Sequence, residues 1–288
     1  MAWRSRAGHA ASTCAMAYRP RGMAYLPTPW RTIGRMAWHR EHLPDPLPAE
    51  PLNTAALWLA EATRRAAQPN PNAMILATVG RDALPSARVV LCKQITPVPG
   101  FISFYTNYQS RKGQELHDNP RAAIVMHWDS LHRQLRVEGC IVPTSAADSD
   151  AYFATRHWQS RLGAWASQQS KPTASRADLL AAVATQAQRL GVPVAAPLLG
   201  HDPSQETGHE TGPGLGAESL TDPGVPIPRP PYWGGYQLWA EAVELWVEGS
   251  ARIHDRARWS RTLTPRDQRS ESGAAFTVGP WSVTRLQP

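Results

Sequence analysis

Five runs of branched, aromatic and other apolar residues, divided by short turn-rich links, organise the first half of the chain: 73–79, 86–95, 101–107, 122–128 and 133–143. Each has the length and composition of a β-strand. Strand-rich sequence returns at 236–248 and 251–261, with a short terminal strand at 281–286. The spacing predicts an antiparallel barrel or sandwich rather than alternating βαβ units. Helical patterning breaks in at three places. Residues 53–67 carry Leu57, Ala60 and Arg64 at helical spacing behind Asn53 as cap. Ser110 caps a helix to about residue 117. Ser145 with Asp148 forms a capping box for a third helix. On it Tyr152 and Arg156 share a face, with Ser160 about a turn later.

Composition narrows the class. The chain has 288 residues, 42% of them hydrophobic, enough for one large domain or two small ones. No apolar run reaches the length of a membrane span. Cys14, Cys92 and Cys140 are scattered without Cys-x-x-Cys spacing. That argues against a disulfide framework or a zinc site and fits a reducing, cytoplasmic setting.

The formal charge of +7 would suggest nucleic acid, but its location does not. Seven arginines and no acid lie in residues 1–40; removing them from the 30 basic residues leaves 23, against 23 acidic ones. A nucleic-acid-binding domain would carry its own basic excess. Residues 1–44 therefore read as an Arg-rich extension: a disordered tail, a stretch upstream of a start at Met16, Met23 or Met36, or a transit peptide by composition. The remainder, 45–288, reads as one domain interrupted by an insertion at about 192–230. Residues 191–231 hold nine prolines and seven glycines, a flexible composition in which His201 and His209 read as solvated rather than metal-ligating.

Two stretches carry candidate chemistry. In a strand, Arg252, His254 and Arg256 would line one face, with Ile253 and Asp255 on the other. Such a face is either a solvated edge or an anion site. Upstream, Arg111 and Lys112 occupy the first turn of the Ser110-capped helix, where the dipole disfavours cations by about 0.3–1 kcal/mol each. Either solvent or a bound anion offsets that, and helix N-termini bind phosphate through free N–H groups. The chain has only three lysines, Lys93, Lys112 and Lys171. A lysine in so arginine-rich a background suggests a need for a compact point charge.

Five motifs in chain order then resemble the pyridoxamine/pyridoxine 5′-phosphate oxidase family. They are Arg88-Val89-Val90-Leu91-Cys92-Lys93; Tyr105-Thr106 through Ser110-Arg111-Lys112; Gln134; Tyr152-Phe-x-x-Arg156-x-x-x-Ser160 with Gly163-Ala164-Trp165 and Gln169-Ser170; and Trp233-Gly234-Gly235 leading to Trp246 and Arg252-x-His254-x-Arg256. The resemblance implies a mainly β fold with flanking helices (α+β), a split β-barrel of Greek-key type that binds FMN at a homodimer interface.

By that resemblance Arg88, Arg111 and Lys112 hold the FMN phosphate. The stretch Val89, Val90, Leu91, Cys92 and Lys93, with Tyr105, Thr106, Ser110, Gln134, Gln169, Ser170, Trp246 and Arg256, completes the flavin site. Lys93, Tyr152, Arg156 and Ser160 take the substrate phosphate. Arg252 and His254 face the pyridine ring as the catalytic pair. The expected reaction oxidises pyridoxamine 5′-phosphate and pyridoxine 5′-phosphate to pyridoxal 5′-phosphate while O2 becomes H2O2. Arg88 and Lys93 are five apart, so an unbroken strand would put them on opposite faces, suiting two phosphates or a bulge. His157 and Arg161 stand where the family pattern shows Pro and Gln. Two rival readings are an oxidase of the phenazine-pathway type, which would lack the substrate-phosphate set, and a non-catalytic flavin- or pyridoxal-phosphate-binding protein.

Overall fold

The structure, a computed structural model, describes residues 41–193, 222, 224–266 and 275–288. The readings made for residues 1–40, for most of the Pro/Gly-rich insertion, and for His201 and His209 lie outside them.

Nine strands form one antiparallel sheet: β1 (Ala73–Val79), β2 (Pro85–Leu91), β3 (Gln94–Thr96), β4 (Phe101–Asn107), β5 (Arg121–Trp128), β6 (Arg133–Pro143), β7 (Trp233–Val247), β8 (Asp255–Ser260) and, last in the chain, β11 (Ser282–Leu286). The order is β11-β8-β7-β6-β5-β1-β2, with β4 and β3 branching from β7. The 15-residue β7 sets the shape. One flank pairs with β6 along most of its length; the other pairs first with β4 and then with β8. The sheet thus divides along β7 and curls into a half-barrel. A separate ribbon joins β9 (Leu263–Pro265) to β10 (Phe276–Val278).

The concave side is the core. Leu76, Ile102, Phe104, Met126, Trp128, Leu135, Leu245 and Trp259 are all fully buried there. Each buried Leu or Ile contributes roughly 1.5–3 kcal/mol relative to exposure. On β6 the alternation is regular, odd positions inward and Gln134, Arg136 and Glu138 outward. The helices α1 (Pro51–Arg64), α2 (Arg111–Asp118), α3 (Ala146–Thr155), α4 (Trp158–Ala166) and α5 (Arg176–Arg189) flank the sheet. Helix α1 closes the core with Leu52, Ala55, Trp58 and Ala62, and Arg133 lies over the Trp58 ring at 5.2 Å while pairing with Glu41 and Glu61. A second cluster joins Phe153, Trp158, Leu162, Ala187, Ile227 and Trp233.

Several expected elements differ. Helix α1 begins at Pro51 with Glu50 as its cap residue, not at Asn53, and Leu57 is 70% exposed. Leu57, Ala60 and Arg64 mark its solvent face; Leu52, Ala55, Trp58 and Ala62 form the face turned to the core. The 86–95 run is two strands, broken where Cys92 turns into the core. The helix expected to carry Tyr152, Arg156 and Ser160 is two helices, since Arg156 leaves α3 in an extended conformation. The strand expected at 251–261 begins only at Asp255, because a 3₁₀ turn occupies Ser250–Arg252. Leu43, assigned by composition to the N-terminal extension, is 4% exposed in the core.

Candidate functional site

A cavity of about 500 Å³ opens where β2, β4 and the helical layer meet. Val89, Val90 and Leu91 form one edge, and the chain break after β2 delivers Lys93 beside them. The end of β4 supplies Tyr105, Thr106 and Asn107. Helices α2, α3 and α4 supply Lys112, Tyr152 and Ser160, with Arg156 from the α3–α4 junction. Gln169 and Trp233 close it. Eleven sequence-predicted residues thus share one space: Val89, Val90, Leu91, Lys93, Tyr105, Thr106, Lys112, Tyr152, Arg156, Ser160 and Gln169.

Lys112 is the cation at the α2 end. It is 8% exposed, and its Nζ donates to Gln169 Oε1 at 2.7 Å and Ser110 Oγ at 3.1 Å. Ser110 also caps α2, accepting from the Gly113 amide at 3.3 Å. Burial, and then the charge of Arg88, lower the Lys112 pKa from 10.5 to about 8. A desolvated ammonium at a helix N-terminus is a strong site for an anion.

Arg88 and Arg111 do not line this cavity. Both turn to Glu115, which accepts from Arg88 at 3.0 Å and Arg111 at 2.8 Å. The same carboxylate accepts from Thr78 at 2.6 Å and Ser86 at 2.7 Å. Burial raises its pKa, but hydrogen bonds from Thr78, Ser86, Arg111 and Arg88 outweigh this and hold it at about 2. The unfavourable placement of Arg111 in the first turn is therefore offset inside the helix by its own acid at i+4. No sequence signal marked Glu115, although that i+4 spacing would have found it.

At the other cationic end, Tyr105, Tyr152 and Trp233 stack face to face. The Tyr105–Tyr152 centroids are 4.0 Å apart and the Tyr152–Trp233 planes differ by 8°. Lys93 Nζ lies 5.3 Å above the Tyr152 ring, and the Arg156 guanidinium lies 4.8 Å above Trp233. Desolvation raises the pKa of the Tyr105 hydroxyl. The two departures from the family pattern have local explanations. His157 Nδ1 accepts from the Gln159 amide at 3.4 Å as N-cap of α4. Arg161 pairs with Asp222 at 3.1 Å and does not line the cavity.

The remaining predicted residues lie elsewhere. Gln134, Trp246 and Arg256 form a cross-strand row over β6, β7 and β8. Arg256 pairs with Glu244, which is 3% exposed and also pairs with Arg136. Arg252, His254 and Arg256 do not share a strand face: Ala251 and Arg252 both adopt left-handed φ, 53° and 65°. His254 packs on Trp246 with centroids 4.7 Å apart and accepts at Nδ1 from the Gly249 amide at 3.2 Å. Only glycine fits at 249, where a Cβ would lie 1.7 Å from the Ile253 carbonyl oxygen. Cys92 faces the core, its pKa pushed to about 12 by burial. Ser170 is exposed with φ 72°.

Comparison with known proteins gives a consistent result. Residues 60–190 match the family model described as pyridoxamine 5′-phosphate oxidase. Residues 233–288 match that of the pyridoxine 5′-phosphate oxidase C-terminal dimerisation region. A pyridoxine/pyridoxamine 5′-phosphate oxidase of Paracoccus denitrificans is 41% identical over 244 residues, covering 83% of this chain and 95% of that protein. One of a Jannaschia species is 40% identical with the same coverage. Among solved structures, PhzG of Burkholderia lata in complex with tetrahydrophenazine-1-carboxylic acid superposes with a TM-score of 0.63 at 26% identity, covering 85% of this chain and 95% of PhzG.

Proposed function

The chain belongs to the pyridoxamine 5′-phosphate oxidase family, a family of oxidoreductases, and from this we propose that it oxidises pyridoxamine 5′-phosphate and pyridoxine 5′-phosphate to pyridoxal 5′-phosphate, with FMN as cofactor and O2 reduced to H2O2. One observation carries the reading. A single cavity has two separate cationic groups, Lys112 on α2 and Lys93 with Arg156 beside the aromatic stack. One suits a cofactor phosphate and the other a substrate phosphate.

The donor set fits the cofactor. Lys112 is desolvated at a helix N-terminus, Gln169 and Thr106 offer polar groups, and Val89 to Leu91 offer an apolar edge. Lys112 would hold the flavin phosphate, with Arg88 and Arg111 adding positive charge from the Glu115 cluster. FMN held there would supply a hydride acceptor that dioxygen can reoxidise. The protein's part is orientation. Lys93, Tyr152, Arg156 and Ser160 fix the substrate phosphate, which sets the position of the 4′ carbon. Arg252 balances negative charge on the ring oxygen, and His254 hydrogen-bonds that oxygen.

We further propose a homodimer in which the second copy completes each site. Gln134, Trp246, Arg252, His254 and Arg256 are absent from the cavity lining. Trp233 and Trp246 are both on β7, separated by roughly 40 Å of strand contour at about 3.3 Å per residue. The outward sheet face near Trp246 carries exposed Ile75 and Val89 beside the Arg136–Glu244–Arg256 lattice, a surface suited to burial against a copy. We place the reaction in the cytoplasm: Cys92 and Cys140 are free thiols, and no described helix is long and apolar enough to cross a membrane.

The likeness to PhzG supports the second reading, oxidation of a different ring. The substrate-phosphate set Lys93, Tyr152, Arg156 and Ser160 favours the first. The test is to purify the chain, read the flavin absorbance, and assay aldehyde and peroxide formation from both phosphorylated substrates. A colourless protein, or a yellow one inert toward both, overturns the reading.

A further inference from the structure

The Trp233-Gly234-Gly235 motif is bound up with the cavity in a way the proposed roles do not use. Trp233 is 7% exposed, and its indole lies nearly parallel to both the Tyr105 and Tyr152 rings, with centroids 5.7 and 6.1 Å away. The two glycines leave room for neighbouring rings, Gly235 for Tyr105 of the stack and Gly234 for Tyr108 beside it. A Cβ at Gly235 would lie 2.6 Å from the Tyr105 ring, and one at Gly234 would lie 2.2 Å from the Tyr108 hydroxyl. A side chain at Gly235 would displace the Tyr105 ring or the Thr144 side chain, and one at Gly234 would displace the Tyr108 ring or Ser149. Phe153 packs edge-on against the same indole, centroids 4.9 Å apart, fixing its rotamer from the far side.

The Arg156 guanidinium lies 4.8 Å over this indole and 5.5 Å from the Phe153 ring. Arg156 has left helix α3 and adopts φ −73°, ψ 148°, so the regular backbone pattern of a helix does not set its direction. Its orientation depends on what its side chain rests against. The aromatic face balances part of the guanidinium's charge and limits the directions in which it can point.

We propose that Trp233 is the positioning residue for the substrate phosphate: its indole face holds Arg156 in the orientation that recognises a phosphorylated ligand and thereby selects phosphorylated over unphosphorylated ring substrates. The proposal rests on the assignment of Arg156 to the substrate phosphate. Trp233 itself need not touch the substrate. Because Arg156 contacts the phosphate in ground and transition states alike, the loss falls on KM rather than kcat.

The experiment uses the full-length flavin-loaded protein and the variants Trp233→Leu, Trp233→Phe, Arg156→Ala and the double variant Trp233→Leu/Arg156→Ala. Steady-state kinetics with pyridoxine 5′-phosphate are measured beside flavin content and binding of inorganic phosphate by calorimetry. Trp233→Leu should raise KM roughly tenfold, about 1.4 kcal/mol, with kcat within about twofold. Trp233→Phe, which keeps an aromatic face, should recover most of that loss. In the Arg156→Ala background the Leu substitution should add less than about twofold, since its effect passes through the arginine. Inorganic phosphate binding should weaken in the same order. If the two substitutions multiply, or if kcat and flavin content fall together in Trp233→Leu, Trp233 is a packing residue and the proposal fails. If the wild-type protein does not turn over the substrate, the assigned reaction fails instead. The phosphate titrations then still decide the Trp233–Arg156 relationship.

Discussion

Gln134 faces Trp246 directly across the β6–β7 ladder, and neither side chain lines the cavity to which Lys112 contributes. In the proposed homodimer the row of one copy completes the cavity of the other. Two individually defective variants should then complement in a mixed dimer. Arg156→Ala damages the cavity half and His254→Ala the row half. Random pairing makes about half of the dimers mixed, each with one intact site of two, so roughly a quarter of wild-type activity should return on co-expression. With substrate held well below KM, where the Arg156→Ala defect is expressed, each variant alone should stay low. Co-expression that returns only the mean of the two separate activities means that each chain builds its site alone.

Much of the sheet was legible because period-two burial leaves a direct mark: β1, β4 and β6 begin and end where the residue pattern places them. The misses share a cause, which is that local pattern does not weigh tertiary partners. In α1, Leu57 and Trp58 are adjacent, and only the core decides that Trp58 goes inward. Helix α5 carries Ser175 and Asp178 as a capping box like that of α3, but it buries only Ala187 fully, so its apolar stripe is faint. The cavity residues were identified by motif resemblance. The motifs did not reveal that Glu115 would take Arg88, because that contact joins α2 to β2; its pairing with Arg111 is local to α2 and follows from the i+4 spacing. Nor did alternation at 252–256 anticipate the left-handed pair Ala251 and Arg252, which ends strand geometry before Asp255.

Lys112 predicts two opposite pH dependences. Its pKa is lowered from 10.5 to about 8, so the unfolded chain binds more protons between those values. For the flavin-free protein this group contributes stability that increases as pH rises from about 8 toward 10.5. Flavin affinity should move the other way, because the neutral amine offers no charge to a phosphate. The apparent dissociation constant should rise by up to about tenfold per pH unit above 8. Flavin titrations at pH 7 and 9.5, with melting curves of the stripped protein, check both signs. A pH-independent affinity removes Lys112 from the phosphate site.

Glu115 is a buried acid with its donors already in place. Glu115→Gln removes the charge that balances Arg88 and sets an amide N–H against the Thr78 and Ser86 hydroxyls. Breaking such a partly buried cluster costs about 3 kcal/mol, or on the order of 10 °C in Tm for a domain of this size. The folded pKa is depressed from 4.5 to about 2. Its stabilisation is therefore present above about pH 4.5 and is lost as pH falls toward 2. The variant should lack that acid limb. A variant with wild-type Tm and an unchanged acid profile would show that Arg88 and Arg111 are held by something else.

Arg156 and Arg252 should separate binding from chemistry. Arg156 lines the cavity, and the phosphate contact proposed for it would be the same before and during reaction. Arg156→Ala should raise KM and leave kcat nearly unchanged. Arg252 sits on the exposed 250–252 turn, with φ 65°, next to the His254–Trp246 pair. In its proposed role it faces the ring oxygen whose charge changes during hydride loss, so Arg252→Ala should lower kcat by roughly tenfold or more. Neither change should release flavin, since the flavin phosphate is assigned to Lys112, Arg88 and Arg111. Ala251→Gly is the backbone control. It relieves one left-handed residue, which for an L side chain costs about 1–2 kcal/mol, and should raise Tm by a few degrees. If Arg252→Ala retains wild-type kcat and KM while Ala251→Gly stabilises as expected, the turn is a solvated sheet edge. The ring-facing role of Arg252 is then wrong, and the assignment of Arg156 stands apart from it.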